Sequence, residues 1–109
     1  MSYFIDSQKI ESFEISPGVS LKTTWGENVM MSIVTISPGA KMEAHSHENE
    51  QAGIVLEGEF LFTIGEETRM IQEGEMYIIP SNVEHSLIAT DQRALALDIF
   101  SPPRTDYKK

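Results

Sequence analysis

Apolar residues in this sequence are grouped into short segments separated by turn residues. Val19–Trp25 alternates apolar and polar side chains, which is typical of a strand with one buried face. Val29–Ile36 is rich in apolar and β-branched residues and indicates a strand with little surface in water. Short stretches that contain glycine or proline predict tight turns between the segments. The predicted strands are Phe13–Ile15, Val19–Trp25, Val29–Ile36, Gln51–Leu56, Glu59–Ile64, Glu67–Ile71, Met76–Ile79, His85–Ala89 and Arg93–Phe100.

Helical periodicity is almost absent from the chain. Met1–Gln8 is expected to be an extended lead-in, and Ser7–Phe13 contains at most one helical turn. Many short strands at close spacing predict an all-β fold, either a β-barrel or a sandwich. A length of 109 residues suits a single domain over residues 1–109, small enough to benefit from oligomerisation.

The last predicted strand carries an acid among apolar residues. Ala94, Ala96, Asp98 and Phe100 share one face of this strand, and burying an unpaired carboxylate there would cost several kcal/mol. Two interpretations follow for Asp98. Either it accepts hydrogen bonds from backbone amides at the end of the barrel, or it faces the interior as a general acid/base.

Arg104 follows two prolines that stiffen the exit from the last strand. This geometry could return its guanidinium group to the mouth of the fold, where arginine is suited to a bidentate grip on a carboxylate. The alternative is a surface arginine near a frayed C-terminus.

Two predicted strands are apolar on both faces, namely Ala52–Leu56 and Phe60–Ile64. A strand with one wet face should not have this pattern. The second face therefore packs either on another sheet of the same chain or on another subunit.

The composition is strongly acidic, with 17 acidic residues, 8 basic residues and a net charge of −9. This balance argues against nucleic acid and against anionic membrane surfaces as partners. A site that takes an anionic substrate would need its own local cation. The sequence has no cysteine, no apolar leader and no run long enough to cross a bilayer, so the cytoplasm is the expected compartment.

The three histidines and one glutamine are candidate metal ligands. His45 and His47 are two positions apart, so in extended backbone both imidazoles leave the same face. Gln51 offers an amide oxygen four residues later, and His85 is the remaining imidazole. Such ligands suit one divalent transition metal, with Mn, Fe, Ni and Zn all acceptable. A His-x-His pair alone can equally be surface decoration or a packed polar pair.

The surrounding spacing resembles the two motifs of the cupin superfamily. Gly39, five residues, His-x-His, Gln51 and Gly58 match the first motif, and Gly74, five residues, Pro80 and His85 match the second. The resemblance implies a small jelly-roll β-barrel with the metal in its mouth. It departs from the family pattern at three positions, which are Gln51 in place of glutamate, Asn82 in place of glycine and Ala89 in place of asparagine.

The amide at position 51 changes the expected chemistry of the ion. Three neutral imidazoles and a neutral amide leave its double charge uncompensated, whereas a glutamate would cancel one unit. The metal should therefore be a harder Lewis acid with more affinity for anions. Asn82 is a mild change, because asparagine tolerates left-handed backbone.

The C-terminal segment from Asp98 to Tyr107 narrows the resemblance to the small KdgF-type cupins. That resemblance implies conversion of 4,5-unsaturated monouronates, from pectin or alginate, into linear keto forms by an isomerase-like enzyme. It also implies a small anionic substrate such as a sugar acid, a homodimer, and roles in the reaction for Asp98, Phe100 and Arg104. The alternatives are another metal-dependent cupin enzyme, such as a dioxygenase or lyase, and a non-catalytic module that binds a small ligand or a metal.

Overall fold

The computed structural model describes residues 2–109, which form two antiparallel sheets. The six-stranded sheet has the order β1-β2-β3-β10-β5-β8, and the four-stranded sheet has the order β4-β9-β6-β7. The strands are β1 Phe13–Ser16, β2 Val19–Trp25, β3 Met30–Ile36, β4 Lys41–His45, β5 Glu50–Glu57, β6 Glu59–Ile64, β7 Glu67–Gln72, β8 Met76–Ile79, β9 His85–Ala89 and β10 Ala94–Ser101.

Helical structure in residues 2–109 amounts to two short 3-10 turns, Ser7–Lys9 and Thr105–Tyr107. The first turn falls where the sequence allowed one. No helix in this part of the chain has the length and apolar character needed to cross a membrane. The prediction of an all-β fold is confirmed.

All nine predicted strands are present, with boundaries that differ by at most one residue at either end. The sequence-based prediction missed β4, whose residues are mostly polar and mostly exposed. Its backbone pairs with β9 in spite of its composition. Met42 is the β4 side chain that packs against the core.

Strand β10 lies in the middle of the larger sheet, between β3 and β5. Its predicted inward face is correct, because Ala94, Ala96, Asp98 and Phe100 are all buried. Buried side chains from both sheets form the core, with Phe60 and Phe62 contributed by the smaller sheet. The inward face of β10 therefore lines the space between the two sheets.

The outer face of the larger sheet is apolar across four neighbouring strands. Cross-strand pairing places Met31, Ile99, Ala52 and Ile78 in one row, and Ile33, Leu97, Ile54 and Met76 in the next. The side chains of Met76 and Ile78 are 77% and 60% exposed. The second apolar face of β5 is therefore not covered by the other sheet of this chain.

Glycine is required at the turn between β5 and β6. Gly58 has a φ of +76°, and a Cβ atom built there would lie 2.5 Å from the carbonyl oxygen of Arg93. Gly39 has nearly the same φ, +74°, but a Cβ there would meet nothing within 4 Å. Substitution of Gly39 therefore tests the cost of left-handed backbone alone, whereas substitution of Gly58 adds the cost of steric overlap with the Arg93 carbonyl.

We expect Gly58→Ala to reduce the free energy of unfolding more than Gly39→Ala. Both variants place alanine in left-handed backbone, which costs about 1 kcal/mol. Gly58→Ala should lose a further ~1–3 kcal/mol, because the carbonyl of Arg93 has to move. Urea unfolding of both variants measures the difference. Equal losses would contradict this account of the turn.

Candidate metal centre and cavity

The three histidines converge at one end of the space between the sheets. His45 ends β4 and pairs with His85, the first residue of β9, and their ring centroids are 4.3 Å apart. The ring of His47 lies 5.0 Å from that of His85 and 6.0 Å from that of His45. The ring nitrogens offered by the three side chains lie within 4.8 Å of one another.

His47 lies two residues beyond the end of β4, in a loop, and its ring still converges with that of His45, as expected for the two imidazoles. β4 ends at His45, and the loop that follows is fixed by hydrogen bonds. The backbone N–H of Asn82 donates to the His47 carbonyl at 2.8 Å, and Ser81 Oγ donates to the carbonyl of Glu48 at 2.7 Å. Asn82 has a φ of +67°, which fits the interpretation of this position as left-handed.

Backbone carbonyl groups set the orientation of all three imidazoles. The Nδ1 atom of His45 lies 3.0 Å from the carbonyl of Glu43, and those of His47 and His85 lie 2.9 Å from the carbonyls of Asn49 and Val83. A carbonyl oxygen only accepts hydrogen bonds, so each Nδ1 must carry the proton and donate it. Each neutral imidazole therefore keeps its lone pair on Nε2, as in metal-binding histidines.

Two observations fit a cation at this point. His85 Nε2 is buried and has no hydrogen-bond partner among residues 2–109. The Oε1 atom of Gln51 lies 3.2 Å from His47 Nε2, so two electron-pair donors face each other without a proton between them. Both arrangements are unfavourable by themselves, and a metal ion bound to these atoms would stabilise them.

The pKa values favour neutral ligands. Burial lowers the pKa of His85 to about 4, in spite of its bond to the Val83 carbonyl. Burial also lowers the pKa of His47, with a further contribution from the Arg104 charge. Because metal binding requires neutral imidazole, the group can hold a divalent ion near neutral pH.

The group of three histidines lies beside a cavity between the two sheets. Its lining includes the predicted residues Gln51, His85, Asp98, Phe100 and Arg104. The ring of His47 lies 5.7 Å from that of Phe100, edge to face. The residues proposed from the sequence as ligands and as reaction residues are therefore brought together.

Asp98 faces this cavity from the middle of β10. The hydroxyl of Tyr77 donates a hydrogen bond to its Oδ1 at 2.5 Å, so its partner is a side chain rather than the backbone amides that were one of the two expectations. Burial raises the pKa of Asp98 to about 6, and the Tyr77 bond and the neighbouring Gln51 amide offset part of this rise. Tyr77 was missed, since its position shows only once β8 is placed in the sheet.

Arg104 lies along the cavity wall instead of extending into solvent. Its side chain is 11% exposed, and its guanidinium carbon is 4.0 Å from the centroid of the Tyr107 ring and 5.7 Å from that of Phe100. Its Nη2 donates to Asp106 Oδ2 at 3.0 Å. The interpretation of Arg104 as a frayed surface residue is therefore wrong.

We expect Asp98→Asn to become more stabilising as pH rises from about 4 to about 6. In this window the unfolded wild type has lost the Asp98 proton while the folded protein retains it, so wild-type stability falls with pH. The asparagine variant has no such loss, and its advantage should grow by up to about 3 kcal/mol and then level off. Urea unfolding of the metal-free proteins measures the difference in stability between variant and wild type. The histidines titrate in both proteins, so their contributions cancel in this difference. A difference that stays constant from pH 4 to pH 7 would contradict the raised pKa.

Comparison with known proteins agrees with this geometry. A family model described as "Cupin domain" matches residues 32–100. The pectin degradation protein KdgF of Dickeya dadantii is 31% identical over 107 residues, covering 96% of each chain. The structure of KdgF from Halomonas sp. has a TM-score of 0.88 at 27% identity, covering 97% of this chain and 98% of that one. An RmlC-like cupin from Shewanella frigidimarina, at 23% identity, has the same fold with a TM-score of 0.89, covering 98% of this chain and 96% of that one. The chain therefore belongs to the cupin family.

Proposed function

We propose that this protein is a metal-dependent cupin enzyme that promotes the conversion of 4,5-unsaturated monouronates into linear keto forms. The observation that carries the proposal is the meeting of three histidines at one end of a cavity that is also lined by an amide, a buried acid and an arginine stacked on aromatic rings. The likeness to the pectin degradation protein KdgF over nearly the whole chain supports the same substrate class.

His45, His47, His85 and Gln51 would hold the ion. When bound, a divalent metal supplies a Lewis acid whose charge no anionic protein ligand compensates. The identity of the metal, among Mn, Fe, Ni and Zn, is left open by this ligand set.

Arg104 is proposed to bind the carboxylate of the uronate. A guanidinium group offers two parallel N–H donors, which suit a carboxylate. The rings of Tyr107 and Phe100 hold its plane against the cavity wall, so little side-chain freedom is lost on binding. It also supplies the local positive charge that an anionic substrate needs in a protein of net charge −9.

Asp98 is proposed to move the proton. The conversion is an isomerisation, so a proton taken from a substrate oxygen has to be returned to a carbon atom of the same molecule. One carboxyl group can perform both transfers if its pKa lies close to neutrality, and burial brings the pKa of Asp98 to about 6. Phe100, which packs beside His47, is assigned to shaping the cavity.

We expect metal-loaded wild-type protein to speed the decay of the conjugated ultraviolet band of unsaturated galacturonate or mannuronate above its spontaneous rate. Asp98→Asn should retain the metal by elemental analysis and lose turnover by about 10²–10⁴-fold, the usual contribution of a positioned acid/base. His85→Ala should lose both metal and activity. Asp91→Asn, in the exposed turn before β10, is the matched control and should behave as wild type.

Other outcomes identify the alternatives. No acceleration by fully loaded protein would contradict the proposed reaction. Oxygen consumption with another small substrate would assign the protein to the dioxygenase class, and tight binding without turnover would make it a binding module. Full turnover by Asp98→Asn would remove this residue from the reaction while leaving the metal site intact.

We also propose that the protein is a homodimer that packs through the outer face of its larger sheet. The two rows described above place eight uncharged, apolar side chains on four neighbouring strands. Contiguous apolar patches of this kind mark interaction sites. In a strongly acidic chain, this is a face on which two copies can meet with little repulsion, and two sheets can pack there face to face.

We expect Ile78→Lys to shift the protein from dimer to monomer, because a buried lysine would lack a partner in the interface. Sedimentation velocity at matched concentrations measures the change. Met70→Lys is the matched control, since Met70 is an exposed residue of β7 in the other sheet. A wild-type protein that is monomeric at all concentrations would contradict the proposed dimer.

The domain organisation and the compartment also belong to this proposal. A single domain over residues 1–109 is supported by one core that draws side chains from both sheets. A cytoplasmic location is supported by the absence of cysteine from the sequence, which suits a reducing compartment.

A further inference from the structure

A polar layer crosses the interior of the larger sheet at one level of its register. Cross-strand pairing joins Thr23 to Ser32, Ser32 to Asp98, Asp98 to Gly53 and Gly53 to Tyr77. On one side of this layer the paired inward residues are apolar, as Leu21, Val34, Ala96 and Val55 show. On the other side lies the level of Gln51 and Phe100. The layer therefore lies next to the candidate metal centre.

Gly53 is the member of this layer that has no side chain, and its neighbours occupy the space above it. A Cβ atom built on Gly53 would overlap Asp98 Oδ1 and the ring of Tyr77. The tyrosine side chain thus crosses the backbone of β5 to reach the acid on β10. Any larger residue at position 53 would block that path.

Tyr77 is itself held firmly. Its ring packs edge to face against Phe62, with centroids 4.9 Å apart and an interplanar angle of 77°, and its side chain is buried. Burial and the nearby Asp98 charge raise the pKa of Tyr77 well above its ordinary value, so the hydroxyl keeps its proton. It acts as a fixed donor to one oxygen of the carboxyl group.

We infer that Tyr77 is a positioning residue that fixes the carboxyl group of Asp98 in the cavity, and that Gly53 is the opening through which it does so. This inference rests on the proposed function in its account of turnover. A carboxyl group on a short side chain in an apolar wall can rotate toward whichever donor is nearest. A donor held by packing removes that freedom before substrate arrives, which lowers the barrier without adding binding affinity.

The test compares Tyr77→Phe with wild type under metal-loaded conditions. We expect kcat for the uronate to fall by about 10–100-fold, the effect of losing one hydrogen bond to a charged group, with KM and metal content unchanged. The double variant Tyr77→Phe/Asp98→Asn should be no slower than Asp98→Asn alone, because Tyr77 acts through Asp98. Gly53→Ala should also lower kcat, although this variant retains the tyrosine hydroxyl.

Thr23→Val is the matched control for loss of a buried hydroxyl from the same layer. Thr23 Oγ1 lies 2.9 Å from Ser32 Oγ and does not line the cavity, so this variant should keep wild-type kcat. Thermal unfolding of each variant separates loss of fold from loss of rate.

Each other result decides the inference. If wild type is active and Tyr77→Phe has the same kcat, the inference is overturned and the proposed function stands. A double variant that loses the product of the two single effects also overturns it, because Tyr77 then acts independently of Asp98. If wild type does not turn over the uronate, the proposed function fails. A crystal structure of Tyr77→Phe then tests whether Tyr77 positions the Asp98 carboxyl group. A rotated Asp98 carboxyl group supports it, and an unmoved one overturns it.

Discussion

The candidate site depends on bringing the electron-pair donor atoms of three imidazoles and one amide to one point. Left alone, such atoms repel one another and lose hydrogen bonds to water, so the fold has to hold them there. It does so with backbone carbonyls, each of which takes the Nδ1 proton of one imidazole. The loop that carries His47 is tied to the segment before β9 and to the chain after β10, where Asn49 Nδ2 donates to the Pro102 carbonyl. Ligand orientation is therefore a property of the backbone and is set before any ion binds.

The two sheets divide the chemistry between them. The smaller sheet supplies His45 and His85, and the larger sheet supplies Gln51 together with Asp98. Gln51 lies between the two groups, because its Oε1 approaches His47 while its amide lowers the pKa of Asp98. The fold thus places the candidate metal ligands close to a buried carboxyl group that is not one of them, so the acid would remain free to change its protonation state.

Much of this could be predicted from local pattern. Alternation along β10 placed Asp98 inside, and glycine and histidine spacing indicated the candidate ligands, of which the three histidines do converge. The parts that failed depend on tertiary structure. β4 has a polar sequence and is a strand because β9 offers it backbone partners. The loop that carries His47 was not predicted in detail, because its shape is set by hydrogen bonds to the distant residues Ser81 and Asn82. Tyr77 looks like an ordinary aromatic core residue, and only the register across Gly53 reveals its contact with Asp98.

Asp106 forms an ion pair with Arg104 and so acts as an internal ligand of its guanidinium group. The partners are two positions apart in the chain, so Asp106 is present at a high effective concentration and occupies part of the guanidinium group whenever no other anion does. A carboxylate that bound Arg104 as proposed would have to displace Asp106, and Asp106 would take its place again on release. Such tethered competition would weaken the equilibrium affinity for an acid and shorten the lifetime of the bound state, which would suit the proposed reaction, whose product carries the same charge as its substrate.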